Sequence, residues 1–358
     1  MPGRSPNVNR VAGAIGRTAL SHVFFPLLII ALLHAPSSTA GDHSILRQTQ
    51  AQWLVSATPI LRILLGLSVV RSLNRALNVW AMNNWRVAAH EGWDWENEVA
   101  VITGGSGDIG RALVGGLIAR GVRVAVLDME GPPPALKDDA KVLFIRCDVS
   151  SPDEIARAGN DIRQAFGHPS ILINNAGVIR TTTILDETEE HLRNIVGVNL
   201  MAHWFTTKVF LPHMLTRNKG HIITMASLAS YIALPTSVDY SATKAGAMAF
   251  HEGLACEIKH LYKAPGVMTT LVQPDFVKTQ MTKAYWAEVE AAGGLLLTVD
   301  QVVQPVLQQI FSRRGGHLII PKSRAIVTFL RGWPTWLQEI VRDFIGKADR
   351  ALESPWVK

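Results

Sequence analysis

Tyr240 and Lys244 stand four residues apart in the run Tyr240-Ser241-Ala242-Thr243-Lys244, and Ser227 lies thirteen residues upstream. On a helix, residues four apart share a face, so a phenol and an ammonium reach the same small volume. A cation beside a tyrosine favours the phenolate and lowers a pKa that starts at about 10. A phenol tuned in this way donates or takes a proton at a carbonyl or alcohol oxygen. Ser227 is available to hold and polarise that oxygen as a hydrogen-bond donor. The spacing alone is common, and an ordinary surface Tyr and Lys satisfy it, so the surrounding elements decide its meaning.

Those elements begin at Val99. Short apolar runs at Val99–Thr103, Arg123–Leu127, Val142–Arg146, Ile171–Asn174, His221–Met225, Met268–Val272 and His317–Ile320 read as buried strands. Helical patterns at Ile109–Arg120, Pro152–Phe166, Asn199–Arg217 and Tyr240–His260 lie between them. Such alternation predicts an α/β fold, a doubly wound, Rossmann-like parallel sheet covered on both faces. The first strand runs into Thr103-Gly104-Gly105-Ser106-Gly107-Asp108-Ile109-Gly110 and then a helix. Glycines there let the backbone approach a pyrophosphate, which sits on the amides of the helix start. Asp128 follows the second strand, 18 residues after Gly110. A carboxylate at that point accepts hydrogen bonds from adenosine ribose hydroxyls and repels a 2′-phosphate. No Arg or Lys lies in the turn or just after Asp128 to receive that phosphate. NAD is therefore expected in preference to NADP.

Composition divides the chain of 358 residues. Residues 1–90 carry eight Arg, no Lys and the single acid Asp42, whereas residues 91–358 carry 27 basic and 28 acidic side chains. The basicity belongs to the N-terminal segment, so no nucleic-acid surface is expected on the main domain. Thr18–Gly41 lacks Asp, Glu, Lys and Arg, and Ala51–Val70 is a second apolar run interrupted by Arg62. Arg4, Arg10 and Arg17 precede the first run; Arg71, Arg75 and Arg86 follow the second. Arg-rich outer flanks fit a hairpin with both ends in the cytoplasm. Two other readings stay open: a signal peptide ending at Ser38-Thr39-Ala40, and an amphipathic helix lying on the membrane with Arg62 at the headgroups. Trp80, Trp85, Trp93 and Trp95 fall where an interfacial aromatic belt would lie. The tail from Ile326 to Lys358 has roughly helical apolar spacing and reads as amphipathic. Cys147 and Cys256 show no metal or redox spacing, and His203, His213, His251 and His260 form no ligand pattern, so no metal is expected.

Together these residues resemble the short-chain dehydrogenase/reductase family over Val99 to Ile320. The resemblance rests on the Thr103–Gly110 turn, Asp128, Cys147-Asp148-Val149, Asn174-Asn175-Ala176-Gly177, Val198-Asn199-Leu200, Ser227, Tyr240 and Lys244. Trp204-Phe205-Thr206-Thr207-Lys208 and Phe210-Leu211-Pro212 look like the membrane-associated branch that oxidises retinol and 17β-hydroxysteroids. The resemblance implies catalysis by Asn199, Ser227, Tyr240 and Lys244, with Asn199 holding a water that links Lys244 to solvent. It implies cofactor contacts from Gly104, Ser106, Ile109, Gly110, Asp128, Asp148, Val149, Asn175, Ala176, Gly177, Tyr240, Lys244, Val277 and Thr279. It also implies a homodimer paired through the helices that hold Asn199 and Tyr240.

Two positions depart from the family pattern. Asp108 replaces the middle glycine of the turn, where a carboxylate would repel a pyrophosphate, and Asp275 replaces the glycine of the Pro-Gly that follows strand six. The expected division is a membrane-anchor segment at 1–97, a dehydrogenase domain at 98–325 and an amphipathic tail at 326–358. The expected activity is NAD(P)-dependent interconversion of hydroxyl and carbonyl on a lipophilic substrate: a retinoid, a steroid or another lipid alcohol or ketone. The expected location is the endoplasmic reticulum or a lipid droplet, with the catalytic domain cytosolic. A secondary-metabolite ketoreductase and a catalytically weak lipid-droplet scaffold are the alternatives, the scaffold resting on Asp108 and Asp275.

Overall fold

The computed structural model describes residues 44–132, 136–137, 139–291 and 294–348. It divides into two compact units, Met1–Ala81 and Met82–Lys358. The apolar run Thr18–Gly41 and its preceding arginines, on which both the hairpin and the signal-peptide readings rest, lie outside the described residues.

The first unit is represented by helix α1, Ser44–Met82. From Ile63 onward its large apolar side chains, among them Leu67, Val70, Leu73 and Leu77, are exposed. They are spread around the helix instead of gathered on one face, which weighs against the amphipathic helix left open above. No described helix is long and apolar enough to cross a membrane.

The second unit holds seven parallel strands in the order β3-β2-β1-β4-β5-β6-β7. They are β1 Val99–Thr103, β2 Arg123–Asp128, β3 Val142–Arg146, β4 Ile171–Asn174, β5 Gly220–Met225, β6 Val267–Pro274 and β7 Gly316–Ile320. All seven expected strands form, with ends shifted by no more than two residues. Side-chain alternation sends Ala100 and Ile102 to one face and Val99 and Val101 to the other, the period-two consequence of the pleat. On the first face α2 (Asp108–Ile118) and α8 (Val299–Phe311) pack through Leu113, Leu117, Val302 and Val306. On the second, α3 (Pro152–Phe166), α5 (Ala202–Arg217) and α6 (Val238–Cys256) pack through Ile155, Phe210, Met214 and Leu254. Each such fully buried aliphatic side chain contributes about 1.5–3 kcal/mol.

The strand order reverses between β1 and β4, the point where a doubly wound sheet opens a crevice at its carboxyl edge. Thr103, the last residue of β1, bridges it: its Oγ1 accepts from the amides of Asn175 and Ala176, both at 3.0 Å. The helix expected to begin at Asn199 starts three residues later. A wider turn, Gly197–Met201, joins α4 (Glu189–Val196) to α5, and such π-type turns recur at functional sites. Trp93 and Trp95 take part in core packing. They stack on each other at 5.2 Å, Trp95 meets Phe311 edge-on at 4.9 Å, and the pair packs against the core.

The tail carries a 3-10 segment, Lys322–Gly332, and then α9, Thr335–Ala348. Phe329, Trp336, Ile340 and Phe344 are exposed along it.

Candidate active site

A cleft of 1060 Å³ opens at the carboxyl edge of the sheet. Its floor is the glycine turn. Gly104 has φ +64°, and a Cβ there would lie 2.8 Å from the Ala176 Cα. A Cβ on Gly110 would lie 2.1 Å from the Gly104 oxygen, so only glycine lets the turn close under the helix. No side chain caps the start of α2 at Gly107, whereas Ser151, Thr188 and Thr298 cap α3, α4 and α8. The first amides of α2 thus face the cleft without an internal acceptor, the arrangement that receives an anionic group.

Asp128 terminates β2 with both carboxylate oxygens fixed. One accepts from the Ser106 amide at 2.9 Å and the other from the Glu130 amide at 3.0 Å. Ser106 itself points away from the cleft, donating its hydroxyl to the Gly131 carbonyl at 2.9 Å. Asp148 lines the cleft and holds Ser150 through an amide and a hydroxyl bond of 2.8 and 2.7 Å. Val149, Ala176 and Gly177 line the same wall. Asn175 donates its side-chain amide to the Gly104 and Thr103 carbonyls at 2.9 and 3.1 Å, which ties the β4 loop to the glycine turn. Lys244 and Arg324 are the only basic side chains among the described lining residues, against Asp108, Asp128, Glu130, Asp148 and Asp275. The lining of the cleft is therefore acidic on balance.

Asp108 does not face the expected pyrophosphate position unpaired. One of its oxygens meets Arg111 at 3.0 Å and the other accepts the Gln280 amide at 2.7 Å. The substitution pins the base of the segment that follows Thr279 onto the glycine turn. Asp275 is likewise engaged: it pairs with Arg324 at 3.1 Å and accepts the Phe276 amide at 3.0 Å. Burial pushes its carboxyl above the usual range, and the Phe276 amide and Arg324 pull the other way.

At the far end the candidate chemical groups converge. Ser227, Tyr240 and Lys244 line the cleft together. Ser227 follows β5 and its hydroxyl receives the Ala229 amide at 3.2 Å. Lys244 is buried, donates to the Met225 carbonyl at 2.9 Å, and lies 5.6 Å from the Tyr240 ring centre. Asn199 is fully buried and does not line the cleft. Its amide group accepts from the Val178 amide at 2.8 Å and donates to the Val178 carbonyl at 2.9 Å and to Thr243 Oγ1 at 3.4 Å. Thr243 in turn donates to the Tyr240 carbonyl at 2.8 Å. Asn199 thus braces the β4 loop against the helix turn that carries Tyr240. A Cβ on Gly177 would lie 3.5 Å from both Asn199 Oδ1 and Lys244 Nζ, so the three groups approach one another.

The electrostatics correct one expectation. Burial raises the Tyr240 phenol above its ordinary value, and the hydrogen bond with Ser227 only partly offsets this. Burial pushes the Lys244 ammonium down to about 8. Desolvation is thus the largest influence on both groups in the protein alone.

Val277 and Thr279 line the cleft where β6 gives way to a flap. Lys278 and Leu297 close the base of the flap by a backbone bond of 2.8 Å. Leu234, Phe276, Val289, Leu295, Val327 and Ile345 also line the cleft. No motif flagged them, because they come from four separate segments and share only their apolar character.

The family model described as short chain dehydrogenase matches residues 98–290. Dehydrogenase RED2 of Cochliobolus heterostrophus is 38% identical over 228 residues, 62% of this chain and 85% of the relative. Short-chain dehydrogenase/reductase family 16C member 6 of Bos taurus is 31% identical over 245 residues, 66% of this chain and 77% of the relative. Estradiol 17-beta-dehydrogenase 11 of Homo sapiens is 34% identical over 191 residues, 53% of this chain and 62% of the relative. Among solved structures, a short chain dehydrogenase/reductase from Burkholderia phymatum in complex with NAD superposes with a TM-score of 0.61 at 24% identity, covering 69% of this chain and 97% of that one.

Proposed function

Since this chain belongs to the short-chain dehydrogenase family and is an oxidoreductase, we propose that it interconverts a hydroxyl and a carbonyl on a lipophilic substrate, with NAD preferred over NADP. The observation that carries the reading is one cleft with Ser227, Tyr240 and Lys244 on its rim and an apolar wall of Leu234, Phe276, Val289, Leu295, Val327 and Ile345 beside them. A retinoid, a steroid or another lipid alcohol or ketone fits that wall. The name of estradiol 17-beta-dehydrogenase 11 supports the same substrate class.

The dinucleotide would be held by Gly104, Ile109 and Gly110 at the phosphates, by Asp128 at the adenosine ribose and by Asp148 and Val149 at the adenine. Asn175, Ala176, Gly177, Val277 and Thr279 would hold the nicotinamide half, with Ser106 acting through Asp128. When bound, the nicotinamide supplies or accepts a hydride at its C4. Tyr240 gives its phenolic proton to the carbonyl oxygen during reduction and takes it back during oxidation. Ser227 donates a hydrogen bond to that oxygen as charge develops on it. Lys244 steadies the phenolate that Tyr240 leaves behind and binds the nicotinamide ribose hydroxyls. Asn199 positions the loop and helix that carry these groups.

The exposed apolar surface of α1 and the Arg-rich flanks around both apolar runs support attachment to the endoplasmic reticulum or a lipid droplet, the dehydrogenase domain facing the cytosol. The division at 1–97, 98–325 and 326–358 and pairing as a homodimer belong to the same reading. The scaffold alternative loses its ground, since Asp108 and Asp275 are both engaged by partners. The test is full-length protein in phosphatidylcholine vesicles, assayed by NADH absorbance with retinol, estradiol and their carbonyl counterparts. Turnover of at least one supports the reading; saturable NADH binding with no turnover of any lipid alcohol or ketone would defeat it.

A further inference from the structure

We propose that Glu187, His191 and Asp239 form a binding site for a divalent transition-metal cation, Zn²⁺ foremost, at the base of the helix that carries Tyr240. One oxygen from each carboxylate and one imidazole nitrogen lie within 4.8 Å of one another. Glu187 Oε2, His191 Nε2 and Asp239 Oδ2 are each buried and have no hydrogen-bond partner. The Asp239 side chain is only 8% exposed, so its orphaned oxygen is nine-tenths buried and aimed at the other two groups. Buried polar atoms left without a hydrogen bond are costly, and the contact among these three is the long His191–Asp239 ion pair alone.

The opposite oxygens are already occupied. Glu187 Oε1 accepts the Thr188 amide at 2.9 Å, and Asp239 Oδ1 accepts the Tyr240 amide at 2.7 Å. Each carboxylate is thus oriented by a backbone donor and presents one free oxygen, the arrangement that fixes metal ligands. His191 Nε2 stands 3.5 Å from Asp239 Oδ2, long for a hydrogen bond, for which about 2.7–3.2 Å is usual. That one separation is close to the edge of a tetrahedron with bonds of about 2.0–2.1 Å, about 3.4 Å, and the cluster of three, within 4.8 Å, would draw in on binding. One imidazole and two carboxylates leave a fourth position for water. The borderline donor set and the general order of divalent affinities favour Zn²⁺ over Mn²⁺.

The ligands come from two elements. Glu187 and His191 are four residues apart around the start of α4, and Asp239 is 48 residues further on, in the first turn of α6. No sequence spacing of the kind that marks a metal site joins them. Because Asp239 also holds the Tyr240 amide, a cation here would clamp α4 to the turn bearing Tyr240. The inference stands on these three residues alone and does not depend on the substrate or the cofactor.

Tag-free, chelator-treated full-length protein in detergent, titrated calorimetrically with Zn²⁺ alone, tests it. One Zn²⁺ per chain is expected, with a rise in melting temperature. Glu187→Gln and His191→Gln should each weaken binding by at least about tenfold, while far-UV circular dichroism and metal-free melting stay close to the parent. Asp239→Asn, which keeps an acceptor for the Tyr240 amide, should weaken it to the same extent. Absence of stoichiometric uptake, or uptake unchanged in Glu187→Gln and His191→Gln, would overturn the site.

Discussion

At the glycine-turn end of the cleft, the wall is held by main-chain amides on carboxylates: Ser106 and Glu130 on Asp128, and Gln280 on Asp108. At the other end, buried side chains hold one another through Asn199, Thr243 and Lys244, and the outer wall is apolar. The first end tolerates little change in backbone shape and presents a few polar atoms fixed by main-chain hydrogen bonds. The second carries polar groups fixed by burial, next to a surface that reads its ligand by shape. Binding specificity for the cofactor is thus built from few atoms, and specificity for the substrate from many.

Acid should separate the two ends most strongly. His203 in α5 and His251 in α6 lie on or beside the helix that carries Tyr240 and Lys244, His221 lies near the amino end of β5, and burial holds each imidazole down to about 3. Their folded pKa values lie below the unfolded value of about 6.5. Their contribution to stability is therefore complete above pH 6.5 and is lost as the pH falls toward 3, by up to about 1.4 kcal/mol per pH unit for each. Denaturant unfolding at pH 7.5, 6 and 5 should show a steep fall. His203→Leu should flatten it, because burial is the largest cause of the depressed His203 imidazole. A pH-independent midpoint would contradict the burial argument.

Gly110→Val attacks the other end. The new side chain would meet the Gly104 oxygen at a Cβ distance of 2.1 Å, and such overpacking costs about 1–3 kcal/mol. NADH fluorescence titration should show affinity weakened by at least about tenfold, with Tyr240 and its surroundings unchanged. Asp128→Ala should act more narrowly, weakening NADH and strengthening NADPH so that their affinity ratio shifts by about tenfold, or about 1.4 kcal/mol. Equal loss for both cofactors would contradict a role at the ribose. Asp108→Gly should matter least. Its ion pair with Arg111 is solvent-exposed on the arginine side and contributes about 0–1 kcal/mol. A change in NADH affinity below about fivefold is expected; a gain of tenfold or more would mean that the carboxylate faces the phosphates.

The same contrast explains what the sequence made legible. Thr103–Gly110, Asp128 and Tyr240–Lys244 announce themselves because a tight turn, a strand end and a helix face each demand particular residues at short spacing. The central strands were readable for the same reason, since β1 and β4 are short, fully buried, mostly apolar runs, while β3 and β7 at the sheet edges are only partly buried. The relay's energetics were not readable, because the raised phenol of Tyr240 depends on its desolvation in the folded cleft. Nor was the bracing role of Asn199 at Val178, set by a wider helical turn at Gly197–Met201 that no local pattern marks. Leu234, Val327 and Ile345 meet only in three dimensions, and so do Glu187, His191 and Asp239.

Tyr240→Phe tests the proton relay most directly, through paired measurements of lipid-alcohol turnover and NADH affinity on full-length protein in vesicles. The account predicts turnover reduced by about 10²–10⁴-fold with NADH affinity within about threefold of the parent. Turnover within about tenfold of the parent, at unchanged NADH affinity, would contradict it.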